Sequence, residues 1–198
     1  MIAVIDVSGN NLTSIGNALK QLGYDYEMTH CVDTIRRATH VILPGVGSAD
    51  TAMRALEHYQ LIDVLKTLTQ PLLGICLGMQ LLLEHSEEGD VACLGLMPGS
   101  CKKIQASPGF TVPHMGWNQL QWEKNNPILQ NVTPGEHVYF VHSYALQRSE
   151  FTVARCQYKQ EISAIVQKGQ VYGMQFHPEK SADTGLQLLK NFLETSSC

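Results

Sequence analysis

Hydrophobic positions in the first part of the chain switch repeatedly between strand-like runs and helix-like spacing. Residues 1–7 form an apolar run that predicts a buried strand, and short runs at 24–29 and 40–43 predict two more. Between the first two runs, the spacing predicts a helix that starts near an Asn11 N-cap and stops at Gly23. The apolar face of that helix comprises Leu12, Ile15, Leu19 and Leu22. Such alternation is typical of a parallel sheet with helices on its faces.

The same alternation continues to residue 85. Ser48 is placed to cap a helix that extends to about Glu57, and a second apolar face follows before a very apolar strand at 72–75. The residues of that face are Leu61, Val64, Leu65 and Leu68. Good helix formers at 77–85 predict another helix directly after the strand.

Helical periodicity is lost after Gly89, where short β-rich runs alternate with Pro, Gly and Asn. The predicted strands are 100–105, 119–122, 137–141, 151–158, 162–167 and 171–176. A last amphipathic helix is predicted from Thr184 to about Thr195. The sequence therefore predicts one α/β domain, residues 1–198, with an open, mostly parallel sheet flanked by helices and an antiparallel, β-rich second half.

The junction between the 72–75 strand and the following helix carries the pattern Gly-x-Cys-x-Gly, with Cys76 between Gly74 and Gly78. A residue in a strained strand-to-helix turn needs neighbours without a Cβ, because chain passes close to chain there. The sulfur is then exposed at a helix start, where unpaired backbone N–H groups favour an anion. The pattern predicts a nucleophile elbow with a thiolate at Cys76. The alternative is that Cys76 is one more small buried hydrophobic residue.

Charge balance and cysteine spacing exclude several function classes. The net charge is −4, the pI is near 6.0, and the Lys and Arg residues are scattered, which argues against a nucleic-acid partner. The six cysteines show neither Cys-x-x-Cys nor zinc-ligand spacing, so no metal and no cofactor is expected. The apolar runs fall short of the roughly 18 residues that a membrane span requires, and a reducing, cytoplasmic location fits best.

His177-Pro178-Glu179 supplies the groups that a cysteine nucleophile requires. A thiolate needs a base to transfer protons and a third group to hold that base in one tautomer. Pro178 favours an extended backbone, in which residues i and i+2 point to the same side, so the Glu179 carboxylate is expected to reach the His177 imidazole. The tripeptide follows a predicted strand, whose carboxyl end is expected near Cys76. A solvent-facing turn is the alternative.

Two backbone amides are candidates for stabilising a tetrahedral intermediate. One is the N–H of Leu77, directly after the nucleophile, and the other belongs to the Val46-Gly47 peptide in the loop Pro44-Gly45-Val46-Gly47. Glycine permits whichever peptide orientation directs the N–H toward the oxyanion. Each such donor is worth roughly 3 kcal/mol of barrier. A simple turn at 44–47 is the alternative.

Met115 and Trp117 lie in a short segment with Pro113 and Gly116 and without a regular hydrophobic period. Such side chains on a loop are enriched at protein interfaces, so we expect them to be exposed and to contact a partner. The alternative is that both pack inside.

The segment Gly74-Ile75-Cys76-Leu77-Gly78-Met79-Gln80 together with His177-Pro178-Glu179 resembles the class I glutamine amidotransferases, whose triad is Cys, His and Glu in that chain order. Three further segments resemble, within this class, the glutaminase subunits of imidazole glycerol phosphate synthase. They are Pro44-Gly45-Val46-Gly47, Pro113-His114-Met115-Gly116-Trp117-Asn118 and Tyr139-Phe140-Val141-His142-Ser143-Tyr144. The likeness spans residues 6–180.

This resemblance implies hydrolysis of glutamine through a glutamyl thioester on Cys76, with His177 and Glu179 completing the triad. It implies a heterodimer in which ammonia passes to a (βα)₈ barrel cyclase, which forms imidazole glycerol phosphate and an aminoimidazole carboxamide ribotide in histidine synthesis. The residues implied in glutamine binding are Gln80 and the backbone around His142, Ser143 and Tyr144. The residues implied in facing the cyclase are Asn11, Met115, Trp117 and Lys180.

Three other interpretations remain open at the level of sequence. The glutaminase subunit of pyridoxal phosphate synthase also docks on a (βα)₈ barrel, but Met115-Gly116-Trp117-Asn118 favours histidine synthesis. Another cysteine hydrolase on a similar sheet, such as a peptidase, is disfavoured by His177-Pro178-Glu179. A catalytically silent interaction subunit is disfavoured by the intact set of Cys, His and Glu.

Overall fold

The computed structural model describes residues 1–7 and 12–195. The strands are β1 Ile2–Ile5, β2 Tyr26–Thr29, β3 His40–Gly45, β4 Leu72–Cys76, β5 His85–Ser86, β6 Val91–Ala92, β7 Ser100–Lys103, β8 His114–Gln119, β9 Gln121–Trp122, β10 His137–His142, β11 Tyr144–Ala145, β12 Thr152–Tyr158, β13 Gln160–Lys168 and β14 Val171–Met174. The helices are α1 Thr13–Gln21, α2 Val32–Arg37, α3 Ala49–His58, α4 Ile62–Lys66, α5 Leu77–Leu81 and α6 Ala182–Leu193.

The main sheet has eight strands in the order β2-β1-β3-β4-β14-β13-β12-β9. The pairings from β2 through β14 are parallel, and those from β14 to β9 are antiparallel. The predicted fold class, a largely parallel sheet with an antiparallel second half, is therefore confirmed. The central strand β4 is buried along its whole length, which explains its uninterrupted apolar sequence.

Helices cover both faces of this sheet. On one face, α1 and α6 contribute Leu19 and Phe192 to a core that also holds the apolar side chains of the antiparallel strands. On the other face, α2 to α5 contribute Ile35, Leu56 and Leu65 to a second core. Because each helix buries one apolar stripe, the spacing of its hydrophobic residues in the sequence matches the face that contacts the sheet.

Two smaller sheets lie beside the carboxyl end of the main sheet. Strands β8 and β10 form an antiparallel pair, and β11, β7, β5 and β6 form a four-stranded sheet. Phe140 of β10 packs edge-on against Phe176, and the His177 amide donates to the Tyr139 carbonyl at 3.0 Å. The β8–β10 pair is thereby attached to the chain directly after β14.

Several predicted boundaries are confirmed and others are wrong. Helix α1 ends at Gln21 and is followed by Gly23 with φ 82°, as the sequence predicts. The helix after Cys76 is shorter than predicted and ends at Leu81, because the Leu82 carbonyl accepts the amide of Met97 and the chain enters β5. Helix α2 was not predicted, because its six residues are too few to show the periodic spacing of hydrophobic residues that marks a helix.

Two local predictions fail, one because of strand pairing and the other because of a nearby side chain. The segment with Met115 and Trp117 is not a loop but strand β8, which ends at Gln119 before the chain joins another sheet as β9. Ser48 precedes α3 but does not cap it, because its hydroxyl donates to the Asp50 carboxylate at 2.6 Å. Asn11, predicted to cap α1, lies outside the described residues.

Within residues 1–7 and 12–195, none of the helices has the length and hydrophobicity needed to cross a membrane. No cluster of three or more potential metal-ligating side chains occurs in the same part of the chain.

Candidate active site

Cys76 occupies a strained backbone turn between β4 and α5. Its φ is 54° and its ψ is −111°, a backbone conformation that residues other than glycine rarely adopt. A Cβ on Gly78 would collide with the Leu43 carbonyl oxygen, and one on Gly74 would lie 2.5 Å from the Gly78 carbonyl oxygen. Both glycines are therefore required by close backbone approach, and the predicted elbow conformation is confirmed.

Cys76 opens into a cavity of about 350 Å³ at the carboxyl end of the parallel strands. Six parts of the chain build the cavity: the end of β3 with the loop after it, the elbow with α5, the turn between β5 and β6, the residue before β8, the segment from β10 into β11, and His177. Its lining comprises Gly45, Val46, Gly47, Cys76, Leu77, Gln80, Glu88, Pro113, Val141, His142, Ser143, Tyr144 and His177. This space fits a small amino-acid substrate better than a polymer.

His177 and Glu179 form the predicted contact, but by a different backbone route. The distance from His177 Nδ1 to Glu179 Oε1 is 2.8 Å, and the two side chains are 7% and 10% exposed. Only His177 is extended, whereas Pro178–Lys180 form a 3-10 turn, so the expectation of an extended tripeptide is wrong. Proline fits the first position of such a turn because its missing N–H has no partner to lose.

The surroundings of His177 favour its protonated form. Burial of the ring lowers the pKa, but interactions with the Cys76 sulfur and the Glu179 carboxylate raise the pKa of His177 well above its ordinary value of 6.5. The Cys76 thiol donates to the Val141 carbonyl at 3.7 Å. The sulfur therefore lies beside an imidazole that can take up its proton, as attack on a carbonyl requires.

The candidate oxyanion donors border the same cavity. Leu77 is the first residue of α5, and Val46 and Gly47 lie in the loop between β3 and α3. Gly47 has φ 93°, which glycine adopts without strain, and Val46 is 44% exposed. The loop is thus close to the nucleophile and only partly covered by the rest of the chain.

The residues expected to bind substrate form one wall of the cavity. Gln80 is buried, and its Nε2 donates to the Tyr144 carbonyl at 2.9 Å and to Gln175 Oε1 at 3.1 Å. His142 Nδ1 lies 2.8 Å from the same carbonyl oxygen. The Tyr144 carbonyl therefore joins Gln80 and His142, and Ser143 lines the cavity between His142 and Tyr144.

Glu88 also lines the cavity, and no sequence pattern indicates this position. One of its carboxylate oxygens accepts the Ala49 amide at the start of α3 at 3.1 Å. Burial raises the pKa of Glu88, although the Ala49 hydrogen bond opposes this shift. In the sequence, Glu88 follows Glu87 in an acidic stretch, and only the fold separates them, because Glu87 instead accepts the Lys103 amide at 2.8 Å.

The residues expected to face a partner occupy the surface near the cavity. Met115 is 61% exposed and Trp117 is 54% exposed, both on the outer face of β8. Lys180 is exposed and directly follows Glu179. Asn11 lies outside the described residues, so its predicted position is not described.

Comparison with known proteins agrees with the cavity and the fold. The family model for class-I glutamine amidotransferases matches residues 3–195. Among solved structures, one described as a glutamine amidotransferase has a TM-score of 0.77 at 20% identity and covers 98% of this chain and 97% of its own. The glutaminase domain of a Trypanosoma brucei protein, solved with bound acivicin, has a TM-score of 0.65 at 14% identity over 100% of this chain and 95% of its own. At these identities the structures support the fold alone.

Curated relatives are much more similar in sequence. Imidazole glycerol phosphate synthase subunit HisH 2 of Legionella pneumophila (strain Paris) is 60% identical over 197 residues, covering 100% of this chain and 99% of that protein. Subunit HisH of Idiomarina loihiensis is 47% identical with the same coverage. Subunit HisH of Xylella fastidiosa is 50% identical over 98% of this chain and 96% of that protein. This chain therefore belongs to the class-I glutamine amidotransferases, an enzyme family, and within it to the group of HisH subunits of imidazole glycerol phosphate synthase.

Proposed function

We propose that this chain is a glutaminase that hydrolyses glutamine to glutamate and ammonia at Cys76. It acts as a subunit of imidazole glycerol phosphate synthase and delivers the ammonia to a (βα)₈ barrel cyclase, for imidazole glycerol phosphate formation in histidine biosynthesis. The observation that carries the proposal is the single cavity lined by Cys76 and His177, with the Glu179 carboxylate 2.8 Å behind the imidazole.

In the first half of the reaction, the Cys76 thiolate attacks the side-chain amide carbon of glutamine. The Leu77 and Val46-Gly47 peptides are the candidate donors to the oxyanion that forms. The His177 imidazolium gives its proton to the amide nitrogen, the C–N bond breaks, and ammonia leaves a glutamyl thioester on the sulfur. Glu179 keeps the imidazole in the tautomer that places the other ring nitrogen toward the cavity.

In the second half, neutral His177 removes a proton from water, and the resulting hydroxide attacks the thioester carbon. The C–S bond breaks, glutamate forms, and the thiolate beside the imidazolium is restored. Because Glu179 keeps its negative charge throughout, it stabilises the imidazolium at both stages without taking up a proton itself.

Glu88 is the proposed partner of the substrate α-ammonium group. It is the only carboxylate on the lining of the cavity, within the described residues, and it is fixed by the Ala49 amide. A cation at this position offsets the cost of burying the carboxylate. Glutamine is then distinguished from simple amides by its charged α-amino group.

The extent of sequence identity supports this assignment over the other interpretations. Relatives that are 60% identical along the whole chain are subunits of imidazole glycerol phosphate synthase, which favours histidine synthesis over pyridoxal phosphate synthesis. The Cys76, His177 and Glu179 arrangement supports an active glutaminase over a silent interaction subunit.

The cyclase is proposed to dock where Met115 and Trp117 are exposed, near Lys180. The oxyanion loop with Val46 and Gly47 is close to the nucleophile and partly uncovered, so we expect the isolated chain to be a poor glutaminase until the cyclase docks.

The test is glutamate release from glutamine by the chain alone and together with the (βα)₈ cyclase. A thiol-directed glutamine analogue, with labelled peptides identified by mass spectrometry, is expected to modify Cys76 and to leave the exposed Cys31 unmodified. Absence of glutamate release with the cyclase present would contradict the proposed reaction. Equal rates with and without the cyclase would contradict only the proposed activation.

A further inference from the structure

Strand β8 has two faces with different surroundings. Its outer face exposes Met115 and Trp117, while its inner face carries the buried side chain of His114. The His114 ring stacks on Tyr158 at a centroid distance of 3.9 Å and on Phe140 at 4.7 Å, with an interplanar angle of 20° in both pairs. These contacts keep the ring plane in one orientation, so its two nitrogens have fixed neighbours.

Hydrogen bonds around His114 and His142 define which nitrogen of each ring holds the proton. His142 Nδ1 lies 2.8 Å from the Tyr144 carbonyl oxygen, which can only accept, so Nδ1 carries the proton. Burial lowers the pKa of His142 to about 3, and the neutral ring has only this one proton. His142 Nε2 is therefore an acceptor, and His114 Nδ1, at 3.0 Å, is the donor.

The same reasoning extends to the strand edge. Burial lowers the pKa of His114 to about 4, so its Nε2 is an acceptor, and Asn118 Nδ2 lies 3.3 Å away as the donor. Asn118 Nδ2 also donates to the Gln157 carbonyl at 3.0 Å. Hydrogen bonds thus run in a single direction from Asn118 through both histidines to the Tyr144 carbonyl.

The end of this chain is the wall of the catalytic cavity. The Tyr144 carbonyl accepts from His142 and from Gln80 Nε2 at 2.9 Å, so both of its lone pairs are used. The second hydrogen of Gln80 Nε2 is directed to Gln175 Oε1. Removal of the His114 donor would leave His142 Nε2 as a buried acceptor without a donor, while Nδ1–H stays bonded to the Tyr144 carbonyl, so the ring would lose one of the two hydrogen bonds that hold it in place.

We propose that His114 is a positioning residue for the glutaminase reaction: its Nδ1–H donates to His142 Nε2 and holds that ring where its own Nδ1–H fixes the Tyr144 carbonyl in the wall facing Cys76. This inference rests on the proposed function, because the wall formed by residues 142–144 is where glutamine is proposed to bind. His114 does not line the cavity and acts through His142.

The test uses two substitutions with opposite properties. His114→Phe keeps an aromatic ring for stacking but removes the donor, whereas His114→Asn places an amide N–H near the position of Nδ1 and removes the ring. Steady-state glutaminase kinetics are measured with the cyclase present. The ¹⁵N chemical shift of His142 Nε2, which reports whether that nitrogen accepts a hydrogen bond, is measured by NMR in ¹⁵N-histidine-labelled full-length chain.

We expect His114→Phe to raise KM for glutamine about tenfold, the size of one lost buried hydrogen bond, with kcat at saturation little changed. The ¹⁵N signal of His142 Nε2 is expected to move toward the value of an imidazole nitrogen that accepts no hydrogen bond, and His114→Asn is expected to restore both KM and this signal in part. An unchanged KM, or an unchanged His142 Nε2 signal, in His114→Phe would overturn the proposal. So would equal losses in both variants, because these would indicate packing alone. If the wild-type chain releases no glutamate with the cyclase present, both the proposed function and the positioning role of His114 are contradicted. If the wild-type chain is active and the His114 variants behave like it, only the positioning role is contradicted.

Discussion

The elbow around Cys76 and the β8–β10 pair build two walls of the same cavity by different physical means. At the elbow, backbone atoms fix the geometry: β3, β4 and α5 approach so closely that Gly74 and Gly78 have no room for a side chain. In the β8–β10 pair, side chains fix the geometry through His114, His142 and the Tyr144 carbonyl. Steric exclusion therefore holds the nucleophile, and directional hydrogen bonds hold the wall where the substrate is proposed to bind.

The two walls respond differently to substitution. A backbone collision cannot be relieved without moving a strand, so the elbow is rigid and intolerant of substitution. A hydrogen-bonded wall can be altered by one proton or one side chain without loss of the fold. The outer face of the same strand β8 exposes Met115 and Trp117, so a partner bound there would contact the adjustable wall rather than the rigid one.

The largest expected effect is on chemistry at the elbow. Cys76→Ala removes the nucleophile, and we expect glutamine-dependent turnover to fall by about 10⁴-fold or more, with ammonia-dependent turnover by the cyclase retained. Both rates are measured in the purified complex. Cys31→Ala, at an exposed cysteine away from the cavity, is the matched control and should change neither rate. Loss of both activities in a folded Cys76→Ala complex would contradict separate sites for ammonia production and use.

The second effect is on stability at the elbow. Gly78→Ala places a Cβ against the Leu43 carbonyl, and we expect the free energy of unfolding in urea to drop by about 3 kcal/mol. The control is Gly95→Ala. Gly95 has φ 66°, and a Cβ placed there would have no atoms within 4 Å, so the free energy of unfolding should fall only by the backbone strain, about 1 kcal/mol. If both substitutions cost the same, backbone exclusion does not distinguish the elbow.

The third effect concerns the outer face of β8. Trp117→Ala removes an exposed aromatic side chain, and we expect the Kd for the cyclase to rise roughly 30-fold, equivalent to about 2 kcal/mol. Calorimetric titration of the chain with the cyclase measures it. Met28→Ala, an exposed methionine on the edge strand β2, is the control. A similar change in Kd for the two variants would place docking elsewhere.

The smallest effect is a pH dependence of the free energy of unfolding that arises from His114 on the inner face of β8. Burial holds the pKa of His114 at about 4, below its ordinary value of 6.5, so the ring is neutral in the folded state and gains a proton on unfolding at lower pH. Its contribution to stability is fully present above pH 6.5 and is lost as the pH falls toward 4.

Wild type should therefore lose stability more steeply than His114→Phe between pH 6.5 and 4, since the variant cannot take up that proton on unfolding. Urea unfolding at several pH values gives both slopes, and groups common to both chains cancel in the difference. Parallel slopes would show that the His114 ring is not held neutral.

Much of the parallel half follows from local sequence. Helix α1 and the stop at Gly23, the strand before Cys76, and the glycines at 74 and 78 could each be predicted, because periodicity and backbone sterics act over a few residues. The contact between His177 and Glu179 was also predictable for the same reason, although the turn that makes it was not.

The antiparallel half was harder to predict. The sequence predicts a loop at Met115 and Trp117, because strand β8 exposes its apolar side chains and carries polar side chains on its inner face, the reverse of the usual strand pattern. Its strand geometry depends on pairing with β10, which is distant in the sequence. Glu88 could not be distinguished from Glu87, since the Ala49 amide that holds it comes from another element.

Local sequence is enough to identify the elbow, the succession of strands and helices in the parallel half, and the candidate triad, because these depend on neighbouring residues and on the steric demands of glycine and proline. Folding is needed to bring Cys76 and His177 to one cavity, to place Glu88 on its lining, and to hold two buried histidines each in one tautomer. Burial and hydrogen-bond direction arise when distant segments meet, and neither is a property of a local sequence.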